Sequence, residues 1–217
     1  LDVGCGNGAA LLALRERGDW DLWGLEFESD AVAAARRTDL RVIRGDLLSA
    51  DLPAGSFDLI RMGHVIEHVV DPLATLRRVF SLLKPGGYLI GETPNSACWD
   101  FKLFGRYWGG WHAPRHIIIF SRDNLKTAMV KAGFGEIALS PRLRPVGWSA
   151  GIQNLMADRF GLSIPPHGRV RWYGLLMAPG MCMTSLQALF GGTATIAFCA
   201  RKSETDQRVM SIGAVRQ

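Results

Sequence analysis

Cysteine is scarce in this 217-residue chain: Cys5, Cys98, Cys182 and Cys199 are all it has. No two stand close enough for a C-x-x-C pair, which excludes a zinc ribbon and a disulfide-stapled scaffold and suits reduced thiols in a cytoplasmic protein. Tyrosine is scarcer still. Tyr88, Tyr107 and Tyr173 have no lysine four residues on, so the Tyr-x-x-x-Lys pair expected of an NAD-dependent oxidoreductase or epimerase is missing. Internal repeats and low-complexity tracts are absent too. An initiator methionine is lacking, and residue 1 already lies inside a motif. The chain is therefore expected to be a fragment without its natural N-terminus. Charge is missing from one long stretch, the 29 residues 172–200. That length would span a bilayer, but Pro179, Gly180, Gln187 and the Gly191-Gly192 pair interrupt it. The stretch is expected to split into a short apolar helix near 180–190 and a strand at 194–200. The helix would be plain core, an apolar lid or an element that touches a membrane.

What is present suffices for a packed core: 48% of residues are hydrophobic and 21% charged, which suits one globular domain over 1–217. The charge is uneven. Residues 1–100 carry a net −5 and residues 101–217 a net +10. A basic second half can attract an anionic acceptor, a phospholipid surface or nucleic acid, or can be a solvated face.

Residues 1–95 alternate apolar runs with helical patterns. Strands are expected at 1–4, 22–27, 41–44, 57–62 and 87–92, and helices at 9–17, 29–37 and 72–83. Such alternation implies βαβ units and a mostly parallel sheet. Ser29 and Asp71 are the expected N-caps, with Pro72 opening its helix. Residues 96–120 break the rhythm with Trp99, Trp108, Trp111 and Pro114, and read as a long aromatic loop. A helix at 121–132 ends at Gly133, with Phe134 packing back, and a strand follows at 135–140. Residues 141–175, with Pro141, Pro145, Pro165 and Pro166, read as irregular.

The chemistry sits at the strand ends. Residues 1–8, Leu-Asp-Val-Gly-Cys-Gly-Asn-Gly, make a strand, a glycine turn and a helix start. Gly4, Gly6 and Gly8 let a ligand approach the backbone, and the helix start offers N–H groups. Nicotinamide enzymes share this turn. Asp2, however, precedes the glycines, where it would repel a pyrophosphate and favour a cationic sulfonium or ammonium. Glu26, 20 residues after Gly6, can accept both hydroxyls of a ribose, with Phe27 beside it. Asp46 can accept from an adenine amine, and Leu47 can pack on the ring.

Residues 1–8, Glu26, Gly45-Asp46, the Ser-Phe-Asp-Leu-Ile run at 56–60, His64 to Pro72, and Leu-Lys-Pro-Gly-Gly at 83–87 resemble the successive motifs of the class I S-adenosylmethionine-dependent methyltransferases. The resemblance implies an α/β fold: a Rossmann-like seven-stranded, mostly parallel sheet, order 3-2-1-4-5-7-6, strand 7 antiparallel. The strand at 194–200 is the natural seventh. S-adenosyl-L-methionine is the implied cofactor. Residues 1–95 would form the cofactor-binding core, with 96–120 and 141–192 as acceptor-side loop or lid insertions. Residues 112–134 also resemble the branch that includes the ubiquinone-biosynthesis O-methyltransferases.

The same resemblance would lay Gly63 and His64 against the methionine and sulfonium. His64, Glu67 and His68, at i, i+3 and i+4, can share a face and could ligate a metal. Some quinone O-methyltransferases hold a divalent ion there through Glu, Glu and His. His64 stands where the first Glu would be, so no metal is expected. His116 is the expected general base, with His68 as a second catalytic candidate and His112 weaker. Tyr107, Trp108 and Trp111 would either line an acceptor pocket or form the loop's own core. The expected acceptor is a small molecule or lipid-linked group, anionic if the basic half meets it, in a cytoplasmic protein with peripheral membrane contact. Nucleic acid is not expected: the Asn/Asp-Pro-Pro-Tyr/Phe tetrapeptide is replaced by Met62-Gly63-His64-Val65. An NAD-dependent oxidoreductase and an inactive cofactor-binding module are the alternatives.

Overall fold

The structure, a computed structural model, describes residues 1–112, 114–165 and 168–204; Pro166 and the last stretch of the expected domain lie outside the described residues. Seven strands, β1 (Asp2–Val3), β2 (Trp23–Glu26), β3 (Arg41–Arg44), β4 (Phe57–Gly63), β5 (Leu83–Pro94), β6 (Glu136–Pro141) and β7 (Thr195–Arg201), form one sheet in the order β3-β2-β1-β4-β5-β7-β6. β1 runs parallel to β2 and β4, and β2 parallel to β3. β7 is antiparallel to β5. Lys202 N–H donates to the Gly87 carbonyl and Asn95 N–H to the Ala194 carbonyl, both at 2.9 Å, so one strand climbs as the other descends. The sheet is the expected one.

Seven helices are described: α1 (Ala9–Arg15), α2 (Ser29–Arg36), α3 (Pro72–Leu82), α4 (Trp99–Phe104), α5 (Arg122–Ala132), α6 (Val146–Phe160) and α7 (Met177–Ala188). Asp71 caps α3 as expected, its carboxylate accepting from Ala74 N–H at 2.9 Å. Ser29 does not cap α2; extended Glu28 precedes the helix, and Ser29 is its first residue. β5 starts four residues earlier than the sequence suggests. Within the added stretch Gly86, at φ +78, donates its N–H to Lys202 O at 2.9 Å.

Two expectations of irregular chain are corrected. Residues 96–120 contain α4 and two short 3₁₀ turns. Residues 146–160 form the 15-residue α6. Pro145 sits at its N-cap, where no helical N–H is lost, and Gly161 ends it at φ +62. Gly147 and Gly151 are required by close packing: a Cβ on Gly151 would stand 2.3 Å from the Phe104 ring. Residues that look like helix breakers are thus contact points.

The chain divides into two compact units. One holds Leu1–Gly91, Lys126–Ala138 and the described residues from Phe198 on; the other holds Glu92–Leu125 and Leu139–Ala197. The first packs Leu25, Ile60, Met62, Leu82 and Leu89 at 2% exposure or less, each contributing about 1.5–3 kcal/mol of burial. The second has its own core of Cys98, Phe104, Trp108 and Trp148. No described helix is long and apolar enough to cross a membrane.

Candidate active site

The first unit holds a cleft of about 760 Å³ at the carboxyl ends of β1, β2 and β4, the edge where open α/β sheets take ligands. Gly4 brings the glycine turn to its wall. Gly4 has φ +69, and a Cβ on it would lie 2.6 Å from Val65 Cγ2, so only glycine fits. Gly6, also at positive φ, faces open space. Its N–H donates to Glu26 Oε2 at 2.8 Å, while Glu26 Oε1 accepts from Phe27 N at 2.8 Å and Glu28 N at 3.0 Å. Backbone donors therefore hold the carboxylate at the cleft. Asp46 Oδ1 accepts from Leu48 N at 2.8 Å, an Asx turn that orients the side chain. Leu47 is buried against the cleft, and Phe27, 71% exposed, stands over it.

His64 and His68 line the same cleft. His64 adopts φ +56, a left-handed conformation that costs a non-glycine residue about 1–2 kcal/mol. Strain of this kind gathers at functional sites. Its Nδ1 lies 3.0 Å from Oε1 of the buried Glu67, and a turn closes through His68 N–H to Val65 O at 2.9 Å. Gly63 precedes it; a Cβ there would meet Arg61 Nη2 at 2.7 Å. Gly8 is a packing glycine, since its Cβ would reach Leu40 Cδ1 at 2.4 Å. Neither Gly8 nor Gly63 lines the cleft.

Asp2 is placed differently from Glu26 and Asp46. Neighbouring residues of a strand face opposite sides: Val3 faces this cleft, and Asp2 faces a second cavity of about 620 Å³. There Asp2 Oδ1 meets Arg61 Nη1 at 2.8 Å. Burial pushes its carboxyl above the usual range, and Arg61 pulls it part of the way back.

Val65, Val69, Asp71 and Thr75 complete the cleft. Val65, Val69 and Asp71 fall inside the 64–72 motif without having been assigned to the cofactor, and Thr75 lies in the first turn of α3. The lining carries Glu26, Asp46 and Asp71 but no lysine or arginine. A pyrophosphate would find no cation here, whereas a cationic ligand finds carboxylates. The volume lies within the ordinary range for small-molecule sites. S-adenosylmethionine, with a ribose for Glu26, an adenine for Asp46 and Leu47, and a positive charge, fits these residues.

His116 lies in the second unit, half-buried. Its Nδ1 is 2.8 Å from the Gly110 carbonyl. A carbonyl only accepts, so Nδ1 carries the proton and Nε2 is the basic nitrogen of the neutral ring. His112, at φ +38, packs its ring 5.1 Å from that of His116. Trp108 is core: it is buried and donates Nε1–H to Asp100 Oδ2 at 2.9 Å. Tyr107 donates its hydroxyl to Asp158 at 2.6 Å, and Trp111 donates to Gly105 O at 2.8 Å.

The sequence is 39% identical over 111 residues to the ubiquinone biosynthesis O-methyltransferase of Xanthomonas campestris, covering 48% of this chain and 46% of the relative. It is 33% identical over 103 residues to that of Pseudomonas paraeruginosa, covering 44% of each. The matches thus span about half the length of these curated relatives. A Thermotoga maritima structure described as a SAM-dependent methyltransferase, possibly a histamine N-methyltransferase, superposes with a TM-score of 0.63 at 19% identity, over 93% of this chain and 80% of that one. Haemonchus contortus phosphoethanolamine N-methyltransferase 2, solved with S-adenosyl-L-methionine, gives 0.62 at 16% identity, over 93% of this chain and 48% of that one. At such identities these two speak for the fold. The pattern of the methyltransferase-domain family matches residues 1–138, the stretch that holds the glycine turn, Glu26, Asp46 and His64, and the chain belongs to that family as a class I S-adenosylmethionine-dependent member.

Proposed function

We propose that this protein transfers a methyl group from S-adenosyl-L-methionine to an oxygen of a small-molecule, sugar or lipid-linked acceptor. The observation that carries the proposal is the cleft lining, with three carboxylates and no lysine or arginine at the sheet's ligand edge. When bound, the cofactor supplies a methyl already activated on a sulfonium. The protein's tasks are to hold the cofactor, align a nucleophile and exclude water. Glu26 would take the ribose hydroxyls, Asp46 and Leu47 the adenine, and His64 the methionine end.

An acceptor hydroxyl must lose its proton as it attacks. His116, with Nε2 as the basic nitrogen, is the base we assign, and His68 is the second candidate. Oxygen as the methylated atom is supported by the names of the curated relatives. An anionic acceptor suits the net +10 of residues 101–217. A cytoplasmic setting suits the few, unpaired cysteines.

The test is calorimetric titration of the full-length protein with S-adenosylhomocysteine, followed by labelled-methyl transfer to anionic lipids and lipid-linked sugars. S-adenosylhomocysteine should bind and NAD should not. His116→Ala should lower turnover about 10²-fold with cofactor affinity unchanged. Binding of NAD alone would overturn the cofactor assignment, and equal turnover would remove His116 from the chemistry.

A further inference from the structure

Helix α7 is folded inside out. Its buried stripe, Gly180, Thr184 and Gln187, falls at i, i+4 and i+7, one face of a helix. Those residues are small or polar. Its exposed positions include Met177, Met181 and Leu186, preceded by Leu175 and followed by Leu189 and Phe190. Leu175 and Leu189 are 78% and 79% exposed, and Phe190 is 69% exposed.

The inward polar groups are there for a reason. Gln187 Oε1 accepts from Trp148 Nε1 and Gln187 Nε2 donates to Asp100 Oδ1, both at 2.9 Å. The Thr184 hydroxyl donates to the Arg144 carbonyl at 3.2 Å. Gly180 marks close approach to α6, since a Cβ there would stand 2.7 Å from Ser149 Oγ. α6 repeats the scheme: Gly147, Ser149, Gly151, Gln153 and Ala157 are buried beside Trp148, while Leu155 and Phe160 are exposed.

In water this arrangement leaves the favourable burial of these large side chains unrealised. Helices joined by small residues and side-chain hydrogen bonds, with leucine and methionine outward, suit apolar surroundings. An apolar cluster of this kind marks an interaction surface.

Length and charge select the partner. At 15 and 12 residues, α6 and α7 are about 22 and 18 Å long, short of the roughly 30 Å of a bilayer core. They can lie in the interface but cannot cross. Residues 141–192 carry five arginines and one aspartate, and none of these charges falls between 172 and 192. Arg159 closes α6, and Arg169 and Arg171 precede Leu175. Basic groups bordering an apolar face are the pattern of elements that rest on anionic lipid.

We propose that the α6–α7 pair docks on an anionic bilayer surface, with Phe160, Leu175, Leu189 and Phe190 among the acyl chains and the flanking arginines at the headgroup phosphates. The surface lies beyond the residues matched to the methyltransferase family, and it stands whether or not methyl transfer does.

Flotation of the full-length protein with phosphatidylcholine vesicles, with and without phosphatidylglycerol, tests this. The protein should float with the anionic vesicles, less so at high salt. Leu175→Glu with Leu189→Glu should cut the bound fraction about tenfold, with the melting temperature and S-adenosylhomocysteine affinity unchanged. If that variant misfolds, Arg159→Gln with Arg171→Gln should abolish the preference for phosphatidylglycerol. Absence of flotation with either vesicle would overturn the proposal. So would wild-type flotation by the glutamate variant, or self-association in sedimentation without vesicle binding, which would assign the surface to a second copy of the chain.

Discussion

At the scale of single residues, Glu26 shows how a binding group is also a structural one. Its carboxylate accepts from the N–H groups of Gly6, Phe27 and Glu28, so it ties the glycine turn to the end of β2. Glu26→Ala should weaken S-adenosylhomocysteine binding by about 1–3 kcal/mol, read by calorimetry. It should also lower the melting temperature, since three donors lose their acceptor. Unchanged affinity with a lowered melting point would make Glu26 purely structural. The cysteines allow a second check. Burial, helped by the charges of Asp2 and Glu26, pushes the Cys5 thiol up to about 11, and burial raises Cys98 further. Only the thiolate reacts, and at neutral pH these two stay protonated. Exposed Cys182 should therefore be alkylated by iodoacetamide well before Cys5 and Cys98, as peptide mass spectrometry would show. Raising the pH towards 10 should narrow the gap for Cys5. Asp2 shows what only the fold adds. Its place before the glycines was legible, but the two-residue β1 turns it to the other face of the sheet.

At the scale of elements, close contacts set which substitutions are tolerated. Gly91 in β5 faces the Met62 carbonyl at 2.0 Å and the Phe198 ring at 2.3 Å from where a Cβ would stand. Gly91→Ala must push strands or ring aside and should cost about 3 kcal/mol, roughly 6–12 °C in a thermal melt. Gly135→Ala, with nothing within 4 Å of its Cβ, should be near neutral and serves as the control. A melt lowered equally by both would show that the contact does not matter. The elements of residues 1–95 were legible because their signals are local: apolar runs, Asp71 and Pro72 opening α3, glycines at the turns. α6 was not legible, because its inward positions, Gly147, Ser149, Gly151 and Gln153, carry no apolar stripe. What makes them core is contact with Phe104 and with Gly180 of α7, distant in sequence. Trp108 was undecided for the same reason; its partner Asp100 is recognisable only once folded.

At the scale of the whole molecule, the cofactor cleft and the apolar helix pair belong to different units, and ligand linkage separates them experimentally. A ligand that binds only the folded state stabilises it by mass action, by about 2.7 kcal/mol at a hundredfold excess over its dissociation constant. For a chain of this size one kcal/mol moves the melting temperature by about 2–4 °C. Saturating S-adenosylhomocysteine should therefore raise the melt by roughly 5–11 °C. NAD at the same concentration should leave it in place, because the cleft offers its pyrophosphate no lysine or arginine. Glu26→Ala should lose most of the shift. The Leu175→Glu, Leu189→Glu variant should keep all of it, since neither leucine lines the cleft. An equal shift with NAD would mean that the carboxylates do not discriminate by charge, and the electrostatic case for a sulfonium ligand would fall with it. A shift absent with both ligands, in a protein that melts cooperatively, would mean that the family fold is kept here without its cofactor.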